Sequence, residues 1–380
     1  MSASDGSAGV DEFVQGLNRE ADQEEDVQAN RGSFFSNMDS REVVLRRARE
    51  YDDVPKHLVR TECWLKLARS LHTACGRGLR LLTLPGRYAL EVGLYHKHRL
   101  LATVAREDGQ ECVAAVGFET SPESYGILQG SRPKFQRLFD ANLIEVMNGS
   151  DVAAKRDLMA LFPFDIINLD LTVNLVAPSE GPYGPVPAAI RECIKLQGAQ
   201  QADWALMLTF RAGLTETDQR AIDFWRDEYQ KNLDEHAMIR SACYDTYGVA
   251  SAEELFAKDG EEALGQCAAK WIAEQAHATD WQVVETRHLC YKRRFDVDRV
   301  YSIRKIVFRF RRKKLPEYAM PSRVTPVVGW HVEDLVGVVK GARSKNVDDQ
   351  LEGLNKKSGS YIGRLEAEIE ELKAWADGGG

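Results

Sequence analysis

Residues 164–171 read Phe164-Asp165-Ile166-Ile167-Asn168-Leu169-Asp170-Leu171. A short, mostly apolar run of this kind fits a strand buried on both faces, as in a parallel sheet between helical layers. Side chains along a strand alternate faces, so Asn168 and Asp170 share one face near the end of the run. Polar groups inside a buried strand need partners, which makes these two positions informative. Asp165 belongs to the same strand but lies at its beginning, away from the edge where ligands bind in such sheets.

Working outward, four further runs read as strands: Leu79–Leu84 (LRLLTL), Cys112–Phe118 (CVAAVGF), Leu143–Met147 (LIEVM) and Trp204–Phe210 (WALMLTF). Segments around 86–101, 121–140, 151–161 and 185–198 are long enough for helices between them. Alternation of this kind predicts an α/β, doubly wound Rossmann-like sheet over 79–315. Residues 216–278 read as a helical insertion, with Ile222, Phe224, Trp225, Tyr229, Leu255, Phe256 and Trp271 as core residues. Trp281–Arg294 and Tyr301–Arg312 then form an antiparallel terminal hairpin around an Asp-rich turn, within a basic segment 281–314.

The flanks differ. Residues 1–38 hold eight acidic residues against one basic in the first thirty and read as a disordered acidic arm, too polar to offset its ordering entropy. Residues 39–78 predict N-terminal helices, one capped by Asp39 or Ser40, the next carrying Leu58, Trp64, Leu65, Leu67, Ala68 and Leu71. The C-terminal extension 316–380 ends in an amphipathic helix at 360–375, whose narrow seam of Ile362, Leu365, Ile369 and Leu372 suits either a docking helix or one that meets a protein partner, since two heptads are too few for a long coiled coil.

The chain has 380 residues, 50 Lys+Arg, 58 Asp+Glu and a net charge of −8, a balance that argues against coating nucleic acid by charge alone. The charge is uneven: residues 287–314 carry 12 Lys/Arg and 2 Asp/Glu, a local +10, which leaves −18 elsewhere. Seven scattered cysteines with no Cys-x-x-Cys pair indicate neither a disulfide framework nor a zinc ribbon. The amino terminus lacks the basic and apolar segments of a signal peptide, and no apolar run approaches the roughly 20 residues a membrane helix needs. The expectation is a soluble cytoplasmic protein. No metal site is expected, because His96 and His98, two residues apart on a helix, do not face each other.

Ligands of a doubly wound sheet lie beyond the carboxyl ends of its strands. Thr83-Leu84-Pro85-Gly86-Arg87 follows the first strand, and Glu119 the second, where ribose hydroxyls would be gripped. Ser150 and Asp151 follow the third, suited either to capping the next helix or to facing an adenine. Asn168 and Asp170 close the fourth. The cofactor-binding candidates are thus Thr83, Gly86, Glu119, Ser150 and Asp151, and the catalytic candidates are Asp170 and Asn168.

This order resembles the class I S-adenosylmethionine-dependent methyltransferases, and within them the tRNA guanine-N2 dimethyltransferases. The carrying pieces are Gly86-Arg87, Glu119-Thr120-Ser121-Pro122-Glu123, Asn168-Leu169-Asp170-Leu171, and Pro182-Tyr183-Gly184-Pro185 after a ten-residue interruption. The resemblance implies an S-adenosylmethionine cofactor and methyl transfer to a nucleic-acid base amine, with Asp170 and Asn168 accepting the amine's hydrogen bonds and Tyr183 stacking on the base. It also implies an alternative. The single glycine of the first loop and the absence of a proline after Asp170 suit a catalytically inactive scaffold subunit of a nucleic-acid-handling or phage-defence complex.

In Lys305–Lys313 (KIVFRFRRK), alternation puts Ile306, Phe308 and Phe310 on one face and Lys305, Arg309, Arg311 and Lys313 on the other. With Arg287, Lys292, Arg293 and Arg294 from the preceding run, this stripe suits an RNA or DNA phosphate backbone. Two other readings stand beside it: an edge strand using charge against unwanted pairing, or a surface that pairs with the acidic arm or with an acidic partner.

Overall fold

The computed structural model describes residues 54–106, 109–175, 184–214, 219–294, 300–313 and 328–377. The acidic arm, the helix expected from Asp39, Pro182, Tyr183 and the turn at 295–299 lie outside the described residues.

The described residues form a mixed α/β fold around a nine-stranded sheet. The strands are β1 (Leu81–Thr83), β2 (Thr103–Ala105), β3 (Glu111–Glu119), β4 (Phe135–Asp140), β5 (Ile166–Asn174), β6 (Trp204–Arg211), β7 (Trp281–Arg294), β8 (Val300–Arg312) and β9 (Lys345–Asn346). They run in the order β2-β3-β1-β5-β6-β8-β7-β9, with β4 also paired to β3. The ladder from β4 through β3, β1 and β5 to β6 is parallel; β8 then pairs antiparallel with both β6 and β7.

Helices cover both faces. Helix α1 (Val54–Val59) continues through a π-helical turn (Arg60–Trp64) into α2 (Leu65–Cys75), and with α3 (Leu90–Lys97) it covers one face. That face also carries α4 (Pro122–Gly130), α13 (Val347–Ser358) and α14 (Tyr361–Ala376). The other face holds α5 (Leu143–Asn148), α6 (Val152–Met159), α7 (Pro185–Leu196), α8 (Gln219–Glu235), α9 (Ala237–Tyr247), α10 (Ala252–Lys258), α11 (Gly260–His277) and α12 (Val328–Gly341). Of the core residues expected in the helical insertion, five are buried, and Phe224 and Phe256 are partly so.

The expected third strand, Leu143–Met147, is instead α5. Asn142 caps it by accepting from Ile144 N at 2.9 Å, and Gly149, at φ 92°, ends it in the left-handed region. A run of four apolar residues around Glu145 fits a short helix as well as a strand, and the caps decide. The third parallel strand is β4, inside a segment expected to be helical; its Phe139 stacks on Phe118 of β3 with centroids 4.5 Å apart.

Within the hairpin, β8 does not lie at an edge. β8 is an interior strand between β6 and β7, so edge protection cannot explain its charges. Ile306, Phe308 and Phe310 are fully buried, and each contributes roughly 1.5–3 kcal/mol by leaving water. Trp204 of β6 packs against Phe310 at 4.5 Å and edge-on to Trp281 at 5.8 Å, fastening the hairpin to the parallel strands.

The seam of α14 is turned inward. Leu365, Ile369 and Leu372 are buried, Glu368 bonds His57 at 3.2 Å, and Trp375 stacks on His96 at 5.3 Å. This seam packs on its own chain, the docking use of the two that the sequence suggested. Among the described residues, no helix is long and apolar enough to cross a membrane.

Candidate functional site

Lys56, Arg60 and Trp64 are spaced four apart through α1 and the π turn, so they line one side of the helix. That side faces the middle of β5 and of β8 and the start of α3. Lys56 Nζ contacts Asp170 Oδ2 at 2.7 Å, Arg60 Nε lies 3.9 Å from Glu91 Oε2, and the Trp64 ring lies 4.6 Å from Lys305 Nζ. Local π-helical geometry is frequent where a helix must aim side chains at a site.

Asp170 is enclosed by cations. Beside Lys56, Lys305 Nζ lies 3.6 Å from its other oxygen, and the Asp170 side chain is only 13% exposed. Burial alone would raise its pKa, but Lys305 and Lys56, with Arg60 behind them, outweigh it and hold the carboxyl well below the usual range. Lys305 itself is fully buried and donates to Thr209 Oγ1 at 3.1 Å.

Next to this cluster runs a second polar chain. Asn168 Nδ2 donates to Thr83 Oγ1 at 3.3 Å, and Thr83 donates to Glu91 Oε1 at 2.9 Å. Burial pushes the Glu91 carboxyl up, with Arg60 opposing. Asn168 Oδ1 is buried and accepts no hydrogen bond among the described residues, an unmet acceptor in an otherwise satisfied chain. The alternation of β5 thus brings Asn168, Asp170 and Thr83 together.

Two other cofactor candidates, Gly86 and Glu119, stand at the carboxyl edge. Gly86 has φ 58°, and a Cβ there would meet nothing within 4 Å, so backbone conformation rather than crowding selects glycine. Arg87 Nη1 donates to Glu123 Oε1 at 3.0 Å, tying this loop to the start of α4. Glu119 ends β3 and accepts from Ser121 N at 2.8 Å. Burial pushes the Glu119 carboxyl up, and Asp140 adds to this while the Ser121 and Thr120 N–H groups oppose it.

Asp140 is Glu119's register partner on β4. Because α5 replaces the expected strand, Asp140 and not Asp151 closes the third parallel strand. Asp151 caps α6, accepting from Ala154 N at 2.9 Å, and Ser150 is exposed beside it. These two residues stand one helix away from the strand end.

The basic stripe is mostly consumed within the protein. Lys305 belongs to the Asp170 cluster. Arg309 and Arg311 both pair with Asp203, at 2.7 and 2.9 Å. Lys313 donates to the His277 carbonyl at 2.7 Å, and burial pushes its pKa down. Arg293 is buried and Lys292 exposed; the Arg294 side chain lies outside the described residues. The continuous exposed row suggested by alternation is absent, since the face opposite Phe308 is also covered by helices.

Sequence reading missed Lys56, Arg60, Glu91 and Asp140. The four-residue spacing of Lys56, Arg60 and Trp64 was the available signal for the first two. Nothing local marked Glu91, a buried acid in the first turn of its helix, where an acidic residue is ordinary.

Residues 135–352, more than half of the chain, match the PP_RS20740-like family. The chain belongs to that family. The span shared with other PP_RS20740-like proteins begins at the first residue of β4 and ends inside α13. It includes Asp140, Asp170, Asp203 and Lys305, and leaves Lys56, Thr83 and Glu119 outside. No protein with a curated description matches the sequence. Among solved structures, the chain is similar to one described as "Conversion of a Disulfide Bond into a Thioacetal Group during Echinomycin Biosynthesis". The likeness has 10% identity, a TM-score of 0.29, and covers 66% of this chain and 82% of that one. At that level it carries no argument about function.

Proposed function

We propose that this PP_RS20740-like chain binds S-adenosylmethionine at the carboxyl edge of its sheet and acts as a methyltransferase on a nucleic-acid base amine. The observation that carries the reading is the pairing of Glu119 with Asp140 on neighbouring parallel strands, at the edge where the Gly86 turn leaves β1. Two adjacent carboxylates suit the paired hydroxyls of a ribose, and the open space at Gly86 suits close approach of backbone to a ligand. The residues present therefore fit the cofactor's nucleoside half. Five parallel strands followed by an antiparallel hairpin also agree with the fold the resemblance implies.

The bound cofactor would supply an electrophilic methyl group. The protein's part would be orientation, the term on which such transfers chiefly depend. Asn168 Oδ1, unmet and buried, is the acceptor best suited to an incoming amine. Asp170 stays ionised and adds a second acceptor, since two lysines leave part of its lone-pair capacity open. The nucleic-acid acceptor rests on the local +10 of residues 287–314, of which the structure leaves fewer free cations than the sequence suggested.

A second reading, a binding subunit without catalysis, is favoured by the closure of Asp170 between Lys56 and Lys305. Calorimetric titration of the full chain with S-adenosylmethionine and S-adenosylhomocysteine tests the first step. Heat that disappears in Glu119→Ala is expected, and no heat at high protein concentration would sink the cofactor reading. Label transfer from methyl-labelled cofactor to mixed RNA and DNA then separates the two readings: binding without transfer would favour the second.

A further inference from the structure

We propose that the acidic N-terminal segment of this chain, within residues 1–53, docks in a basic groove at the outer edge of β7. The groove encloses about 590 Å³ between the helix carrying Leu58 and Val59, the middle of β7, and the segment from α12 to β9. Its apolar lining comes from Leu58, Leu289 and Val347. Lys340, Arg343 and Lys345 contribute its charge; all three are exposed, and among the described residues none has an ion-pair partner. Glu62, the one carboxylate of the lining, already pairs with Lys66.

The groove lies where β7 emerges between its neighbours. β7 pairs with β9 at Leu289 and Cys290, and helix α12 lies against its earlier residues, with Gln282 Nε2 donating to Asp334 Oδ1 at 3.3 Å and Gly341 next to Thr286.

Charge and connectivity identify the occupant. The first thirty residues hold eight acids and one base, opposite in sign to the groove, and Phe13, Val14 and Leu17 offer apolar groups for its lining. The segment joins the described structure at Val54, the first residue of the helix that forms the groove wall. Tethering of this kind gives an effective concentration on the order of millimolar without any new contact. The same helix turns Lys56 and Arg60 toward Asp170 and Glu91, so the wall of the groove and the cover of the candidate site are one element. Docking of this segment needs no bound cofactor.

Zero-length carbodiimide cross-linking of the full chain, read by mass spectrometry, tests this. Lys340 and Lys345 should couple to acids among Asp5–Asp26 at low salt, with yields falling several-fold at high salt. The Lys356–Glu352 pair, at 2.5 Å, serves as an internal control. A K340E/R343E/K345E variant, altered only at exposed positions, should keep its Tm and cleave several-fold faster within residues 1–53 under limited proteolysis. Control cross-links without coupling from Lys340 or Lys345 to that segment, or unchanged cleavage in the variant, would overturn the proposal. So would coupling found only between differently isotope-labelled chains. A single-stranded oligonucleotide protecting Lys340 and Lys345 while the acidic segment stays uncoupled would assign the groove to nucleic acid instead.

Discussion

Lys305 Nζ lies 3.6 Å from Asp170 Oδ1, fully buried, with the Trp64 ring beneath it at 4.6 Å. One residue came from the strand read as catalytic, the other from the stripe read as phosphate-binding. Antiparallel pairing of β8 with β6 sets Lys305 opposite Thr209, and β5 pairing with β6 sets Asp170 beside that same threonine.

Removing one member of a buried ion pair costs about 3–5 kcal/mol because the other charge is left uncompensated. Lys56 still contacts Asp170, so Lys305→Met should fall near 3 kcal/mol by urea unfolding. The double variant with Asp170→Asn should recover part of that loss. A single-variant cost under about 1 kcal/mol would mean the pair is not desolvated as described.

Asp170 also predicts an acid response. Its folded pKa is depressed, so its contribution is complete above the unfolded value of about 4 and is lost as pH falls below it. Asp170→Asn should flatten the stability profile below about pH 4, measured by thermal unfolding across pH.

His288 acts in a different window. Its Nδ1 donates to the Ala342 carbonyl at 2.7 Å, and burial pushes its pKa down to about 4, against the opposing charge of Glu262. The unfolded chain binds the proton first, so stability should fall as pH drops from about 6.5 toward 4, by up to about 1.4 kcal/mol per pH unit. His288→Asn should remove that slope; an unchanged slope would assign it to other groups.

Glu119 carries the opposite sign. Its folded pKa is raised by burial, so the ionised form is a cost that appears as pH rises through the shifted value. Glu119→Gln should leave Tm unchanged or raised at neutral pH while weakening S-adenosylmethionine binding. A lowered Tm would mean the carboxylate is structural rather than reserved for a ligand.

Two glycines separate crowding from conformation. A Cβ on Gly78 would lie 2.4 Å from the Ala102 Cα, where backbone cannot yield, so Gly78→Ala should cost at least about 2 kcal/mol. Gly86→Ala meets no atom but must hold φ 58°, a cost of about 1–2 kcal/mol. Denaturant midpoints of the two variants would reverse in order if loop conformation outweighed packing.

Most strands could be read from their residues, because a buried strand needs an unbroken short apolar run whatever surrounds it. Where two elements share that requirement, as Leu143–Met147 does between strand and helical turn, Asn142 and Gly149 settled the matter. The polar residues Gln136, Arg137 and Asp140 interrupt the apolar positions of β4 and hid a strand inside what looks like a helical period.

The sequence by itself determined the α/β alternation, the long hairpin and the polar pair Asn168 and Asp170, since period and apolarity act over neighbouring residues. Tertiary structure alone decided what those groups meet. Lys56 reaches Asp170 from 114 positions away and Lys305 from 135, Asp140 replaced Asp151 at the strand end, and Asp203 took up two arginines of the stripe. Charge at a given position is a local property, whereas its neutralisation depends on which distant segment the sheet order brings within a few ångströms.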